Sequence, residues 1–279
     1  MDRTRRAVAY AALFAAGAAL SVVVAFYLVP DKAYEGYIKN SVEEKTLYRV
    51  EVLRLRKTLP FSFRASSIRL LRKDGALVAE MDNLNLSPAL SSLPRSLGLS
   101  FSGTIGAGDV EGRAALWPSA ELLIKADGVD GGSLPFISSS GLAEGGVFSA
   151  NARISKFKGC PEGEIEARSE GLRLKGRLDP LILFRDGVSV ALLAGIKDCS
   201  TRVRSLSVEG KDLSARAYGD ARFMDGQSEI DLVVELTTRG ALGETMGLML
   251  SSYKKSANYF TMRVKGPVSS PALSEAGSR

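Results

Sequence analysis

A chain of 279 residues with no histidine and only two cysteines excludes much of enzymology before any pattern is read. Histidine is the commonest general base and metal ligand, so Ser-His and Cys-His nucleophile pairs are ruled out, as are four-ligand Cys/His zinc sites within one chain. Net charge is +6; setting aside Arg3, Arg5, Arg6 and Asp2 leaves 34 basic and 30 acidic residues, interspersed as in LRLRK and EIDLVVEL, which argues against nucleic acid as a partner.

From Ala7 to Val29 (AVAYAALFAAGAALSVVVAFYLV) no residue is charged. As a helix this run covers about 34 Å, enough for a hydrocarbon core of about 30 Å. The arginines before it predict a cytoplasmic N-terminus at 1–6, a transmembrane anchor at 7–29 and a body on the far side of the inner membrane, in the periplasm of a two-membrane bacterium. The competing reading is a cleaved signal peptide. Such a peptide has a shorter apolar region ending at a small-x-small site. Here Ala16-Gly17-Ala18 lies in mid-run and the exit is bulky (Phe26, Tyr27, Leu28), which favours a retained single-pass anchor. Phe26, Tyr27 and Tyr34 suit an outer membrane interface, and Tyr34 equally suits packing on the helix that follows. Gly17 and Ser21 form a small-xxx-small pair of the kind found at helix-helix contacts, one that alanine-rich spans also produce by chance.

After Pro30, Tyr34, Tyr37, Ile38 and Val42 recur at helical spacing, which predicts an amphipathic linker helix over 30–46. It lies either on the membrane surface or against the end of a sheet. A β-rich domain over 47–268 follows. In LYRVEVLRLRK, Tyr48, Val50 and Val52 alternate with Arg49 and Glu51. The phase then slips to Leu53 and Leu55, which predicts a strand with a β-bulge. Ser67–Leu70 and Leu77–Met81 flank a turn at Lys73-Asp74-Gly75. Pro88–Leu97 reads as a crossing segment. LSFSGTIGAGDVEGRAALWP reads as a hairpin; GAGDVEG is not a phosphate loop, since no Lys-Ser/Thr follows it and no helix opens there. Glu121–Ala126 is a strand, Asp130–Phe136 a loop, and Gly141–Lys156 pairs with Glu164–Ser169. LDPLILFRDG is an apolar interruption, and Ser189–Ile196 reads as a buried strand.

Alternation is cleanest in the last third. Leu206 and Val208, then Leu213, Ala215 and Ala217, then Ile230, Leu232, Val234 and Leu236 each alternate with polar residues, the mark of sheet with one wet face. A helix is predicted over Leu242–Tyr253, with Leu242, Met246, Met249 and Leu250 on one stripe. The last strand, Tyr259–Lys265, turns Phe260, Met262 and Val264 inward, and 269–279 is a flexible tail. The fold class is therefore mainly β: an N-terminal transmembrane helix, then a long antiparallel meander that curls without closing, with a few short helices.

In layout the chain resembles the type II secretion system protein N family. The resemblance is carried by the N-terminal anchor, YIKNSVEEKTLYRVEV, the meander SSIRLLRKDGALVAEMDNLNLSPALSSL, FSGTIGAGDVEG and the ending FTMRVKGPVSSPAL. The ending is also similar to that of AsmA-like proteins. The first resemblance implies an inner-membrane accessory component of type II protein secretion, with secretion-machinery proteins as partners. The second implies a curved sheet, an open groove or partial barrel, that holds phospholipid acyl chains between the two membranes.

Ile230, Leu232, Val234, Leu236, Phe260, Met262 and Val264 are the candidate groove face, and an ordinary dry core would give the same stripe. Cys160 and Cys199 are either one disulfide or two separate buried thiols; export to an oxidising compartment favours the disulfide. No catalytic, cofactor or metal site is expected. The carboxylate pairs Glu162/Glu164, Glu229/Asp231 and Asp109/Glu111 lie in alternating strands, where carboxylates face water. Ser252-x-x-Lys255 closes a helix instead of opening one.

Overall fold

The structure, a computed structural model, describes residues 20–21, 23–45, 48–58, 61–89, 97–117, 120–135, 143–155, 160–174, 187–198, 200–224, 227–240, 248, 250–267 and 270–276. Most of the expected 7–29 span lies outside these residues; 20–21 and 23–28 are helical. Among the described residues no helix is long and apolar enough to cross a membrane. The fold is mainly antiparallel β with few helices. It divides into two compact units, residues 1–88 with 101–103, and 89–100 with 104–279.

In the first unit the expected linker helix is α1 (Asp31–Lys45). Tyr34, Ile38 and Val42 recur every four residues and pack on Val50, Val52, Leu55 and Ala65. The helix thus covers the sheet, and Tyr37, at the edge of that stripe, is 73% exposed. The strands are β1 (Tyr48–Leu53), β2 (Arg56–Lys57), β3 (Phe63–Arg72) and β4 (Leu77–Pro88). Both β1 and β2 pair with β3, and β3 pairs with β4. At the β3–β4 turn Gly75 takes φ 86°, and Asp74 accepts a 3.0 Å hydrogen bond from the Ala76 N–H.

The slip expected near Leu53 is real, but it is not an inserted residue. Leu53 pairs with Ser67 and Arg56 with Arg64, so the register against β3 is continuous. Arg54 lies between them with left-handed backbone, φ 53°. Across β3, Asn83 of β4 sits at the same level with φ 52°. A left-handed residue reverses the pleat, so the phase changes together in adjacent strands. As a result Val50 and Val52 join Leu55, and Ile68 and Leu70 join Ala65 and Phe63, in one cluster with Leu84.

The second unit takes up β5 (Leu97–Ile105, apart from 101–103), β6 (Gly108–Trp117), β7 (Glu121–Asp130), β8 (Ala143–Glu144), β9 (Val147–Ser155), β10 (Glu162–Leu174), β11 (Val188–Lys197), β12 (Ser200–Glu209), β13 (Leu213–Met224), β14 (Gln227–Thr238), β15 (Lys254–Ser256), β16 (Tyr259–Pro267) and β17 (Ala272–Glu275). Pairing follows chain order, antiparallel throughout: β6–β7–β9–β10–β11–β12–β13–β14–β16–β17, with β8 on β10 and β15 on β16. A two-residue turn at Gly106-Ala107 joins β5 to β6, and β9 and β10 form the expected pair.

The strand expected to be buried is β11, yet only Val188 and Ala194 are buried and Leu193 is exposed. It is paired on both edges but has one wet face. Of the expected Leu242–Tyr253 helix, 242–247 and 249 lie outside the described residues, and its end is a 3-10 turn, Ser251–Tyr253. The segments 90–96 and 175–186 also lie outside them.

Backbones approach most closely where a glycine faces a neighbouring strand. A Cβ on Gly219, which has φ 147°, would stand 2.2 Å from the Asp231 carbonyl oxygen. Gly219→Ala is expected to destabilise the protein by roughly 1–3 kcal/mol through backbone displacement. Gly36→Ala, in open space on α1, is expected to stabilise it by roughly 0.5–1 kcal/mol. Thermal unfolding of the two variants should move in opposite directions.

Candidate apolar-ligand face

Register decides which side chains of a sheet share a face. In the second unit, Val110, Ala126, Ala150, Ala167, Leu192, Leu206, Ala217, Val234 and Met262 are successive cross-strand partners. They form one unbroken apolar row over nine strands. Two residues along lies a second row: Gly112, Ile124, Ala152, Ile165, Ala194, Val203, Gly219, Leu232 and Val264. Neither row contains a polar side chain, and no member of either is exposed. The row beside the second, on the opposite face, runs Arg113, Leu123, Arg153, Glu164, Gly195, Arg202, Asp220, Asp231 and Lys265.

Bulges keep these rows in line. Arg204 is an extra residue of β12 against β11, and the alternation of β12 passes from Val203 to Leu206 there without leaving the apolar face. Gly128 (φ 66°) and Gly171 (φ 67°) sit at matching shifts in β7 and β10. Arg204 reaches across β11 to Glu164, 2.7 Å away, passing over Gly195, which has no side chain to obstruct it.

Ile230, Leu232, Val234, Leu236, Phe260, Met262 and Val264 share one side of β14 and β16. Leu232 pairs with Val264, Val234 with Met262, and Leu236 with Phe260. Leu236, Phe260 and Met262 are buried; Ile230, Leu232, Val234 and Val264 are half-buried. At one corner Leu213, Leu236, Phe260 and Met262 form a closed cluster under Leu250 and Tyr253. Elsewhere the substantial contacts of the described elements are between strands adjacent in the sheet. The sequence stripe thus marks one end of a face that continues through β12 to β6. The missing signal was present strand by strand, but it could be joined only once the register was known. Ser169, buried on this face opposite Phe148 and Val190, has a hydroxyl with no partner among the described residues.

Several carboxylates on the opposite face are paired with cations. Asp231 accepts two hydrogen bonds from Arg263, at 2.6 and 2.8 Å, and Glu111 lies 3.6 Å from Lys125. In the first unit Glu80 accepts from Arg69 at 2.8 Å and from Ser67 at 3.0 Å. Hydrogen bonding from Arg263 holds the Asp231 carboxyl below its ordinary range, and Arg69 followed by Ser67 does the same for Glu80. These are shifts that favour the charged form, opposite to those of a carboxyl tuned to donate a proton. Ser252 and Lys255 lie exposed on the 3-10 turn and β15.

Cys160 is disulfide-bonded and half-buried. Cys199 lies outside the described residues. Protein-family models, curated proteins and solved structures yield no match to the chain.

Two outcomes follow from this geometry. A lowered carboxyl pKa contributes stability above the group's ordinary value, which for Asp231 is 3.8, and loses it as pH falls through the folded value. Denaturation midpoints of the wild type and Asp231→Asn should therefore differ by a constant amount at pH well above 3.8 and converge as the pH is taken below it. Peptide mapping without reductant should recover the Cys160 and Cys199 peptides joined, and with reductant separate.

Proposed function

We propose that the chain is a non-enzymatic, inner-membrane-anchored periplasmic protein whose second unit offers its apolar face to phospholipid acyl chains. The observation that carries this reading is the pair of nine-strand rows without a polar side chain, backed by a charged row on the other face. Nine strands spaced about 4.8 Å apart give a contour of about 38 Å, more than one leaflet of a hydrocarbon core about 30 Å thick. Wide antiparallel sheets twist and coil, so a face of this extent would close around its ligand as an open groove or partial barrel. Two features of the sequence support the anchor: the charge-free run at 7–29 and the arginines before it. The AsmA-like ending agrees with a lipid-binding or lipid-transfer role between the inner and outer membranes.

A role as an accessory component of type II secretion has the sequence layout as its support. In that reading the same face, or the β16–β17 edge, would meet secretion-machinery proteins.

Neighbouring residues on opposite faces separate the two readings. A photoreactive benzoylphenylalanine at Leu192 or Val234, irradiated in intact cells, should yield phospholipid adducts. The same group at Leu193 or Val233 should yield none. Adducts at both faces or at neither would defeat the lipid reading. Protein adducts confined to secretion components would favour the other.

A further inference from the structure

The end of the first unit where the N-terminal helix meets the sheet has an arrangement that a tether alone does not require. Phe26 is 7% exposed and packs against the rings of Tyr34, Phe61 and Phe63, with centroids 5.2–5.6 Å away. The Lys57 ammonium donates to the carbonyls of Phe26 (3.2 Å), Tyr27 (3.1 Å) and Val29, which the helix end leaves open. It lies 3.5 Å from Asp31, and its side chain is 10% exposed. Tyr27 donates to the Thr58 carbonyl, so the turn ahead of β3 is fixed beside the helix exit.

The outer side of this end is apolar and open. Leu20, Val24 and Leu28, four residues apart, form one exposed helical stripe, with Leu28 76% exposed. Next to it Phe61, 41% exposed, is held at φ 63°, a conformation costly for a bulky residue. On β2 and just ahead of it lies uncompensated positive charge. Arg56 stands directly across from Arg64, a repulsive pairing, and Arg54 and Arg56 have no ion-pair partner among the described residues. The stripe continues a charge-free run of membrane-spanning length that ends at Val29.

From this we infer that this end of the first unit rests in the surface of a phospholipid bilayer. Phe61, Tyr27 and Leu28 enter the boundary between headgroups and acyl chains. Arg54 and Arg56 face anionic headgroups, and Lys57 locks the helix exit to the sheet so that the unit is held at a fixed depth and not left to swing on its tether. The inference rests on the anchored reading above and adds a contact of the body itself.

The test uses the full chain, with Trp117→Phe to remove its only tryptophan, reconstituted into vesicles of phosphatidylethanolamine and phosphatidylglycerol carrying brominated acyl chains. Phe61→Trp should be quenched by bromine near the headgroup end. Tyr48→Trp, at the other end of β1 and about 17 Å from Leu53, should not. Adding Arg54→Glu and Arg56→Glu should reduce the quenching at position 61 at least twofold. As a second measurement that does not depend on the tryptophan variant folding, benzoylphenylalanine at Leu28 and at Phe61 should both form lipid adducts. If position 61 is neither quenched nor cross-linked while the chain resists extraction by alkaline carbonate, the docked surface is wrong and the anchor stands. If carbonate extracts the chain, the anchor is wrong, and quenching at 61 still decides the surface.

Discussion

In the second unit β7, β16 and every strand from β9 to β14 are hydrogen-bonded along both edges, so their register is fixed twice. Side chains alternate with a period of two, and a slip of one residue in any strand would carry its charged set onto the apolar face. Burying an unpaired Arg or Glu among Ile and Leu costs several kcal/mol. That penalty ties nine strands to one alignment. It also explains where the irregularities fall. Gly128, Gly171 and Arg204 each sit where the alternation would otherwise drift out of phase. The bulges preserve the face, and the face in turn fixes where bulges are tolerated.

The first unit meets the same demand in another way. Arg54 and Asn83 adopt left-handed backbone on either side of Ser66, and the phase reverses in three strands without any change of register. The apolar side stays continuous and α1 covers it. Lys57 then joins this core to the preceding helix. A buried ammonium is tolerable only where its donors are met, and three open carbonyls with a carboxylate nearby meet them. Helix end, aromatic cluster and lysine therefore stabilise one another, and loss of any one leaves polar groups of the others without partners.

Much of this was legible in the sequence wherever one strand carries its own signal. Ile230 to Leu236 and Phe260 to Val264 alternate strictly, and their inward set is the one on the face. The linker helix was legible from Tyr34, Ile38 and Val42. What the sequence hid is relational. Ala126, Ala150 and Ala167 are too small and too scattered to announce an apolar row, and only the register aligns them. Lys57 looked like one more charge in a basic strand, because nothing local says that it turns back to the carbonyls of residues 26, 27 and 29. Ser189 to Ile196 reads as buried because Ala191, Leu193 and Gly195 are apolar residues on the outer face, where the Arg204 side chain passes over Gly195.

The composition of the face bears on what fills it. Where the second unit closes its own core, at Leu213, Leu236, Phe260 and Met262, the side chains are large and a covering segment lies on them. Along the two long rows, by contrast, alanine and glycine supply nearly half of the positions. Protein interiors reach their density by interdigitating large side chains from facing layers. A face of Ala126, Ala150, Ala152, Ala167, Gly112 and Gly219 has little with which to interdigitate, and a second protein layer over it would leave voids. Voids forfeit dispersion energy, so such a surface is better matched by a partner that brings its own bulk and conforms to a shallow trough. Slender, flexible hydrocarbon chains meet that requirement more simply than a rigid protein surface does.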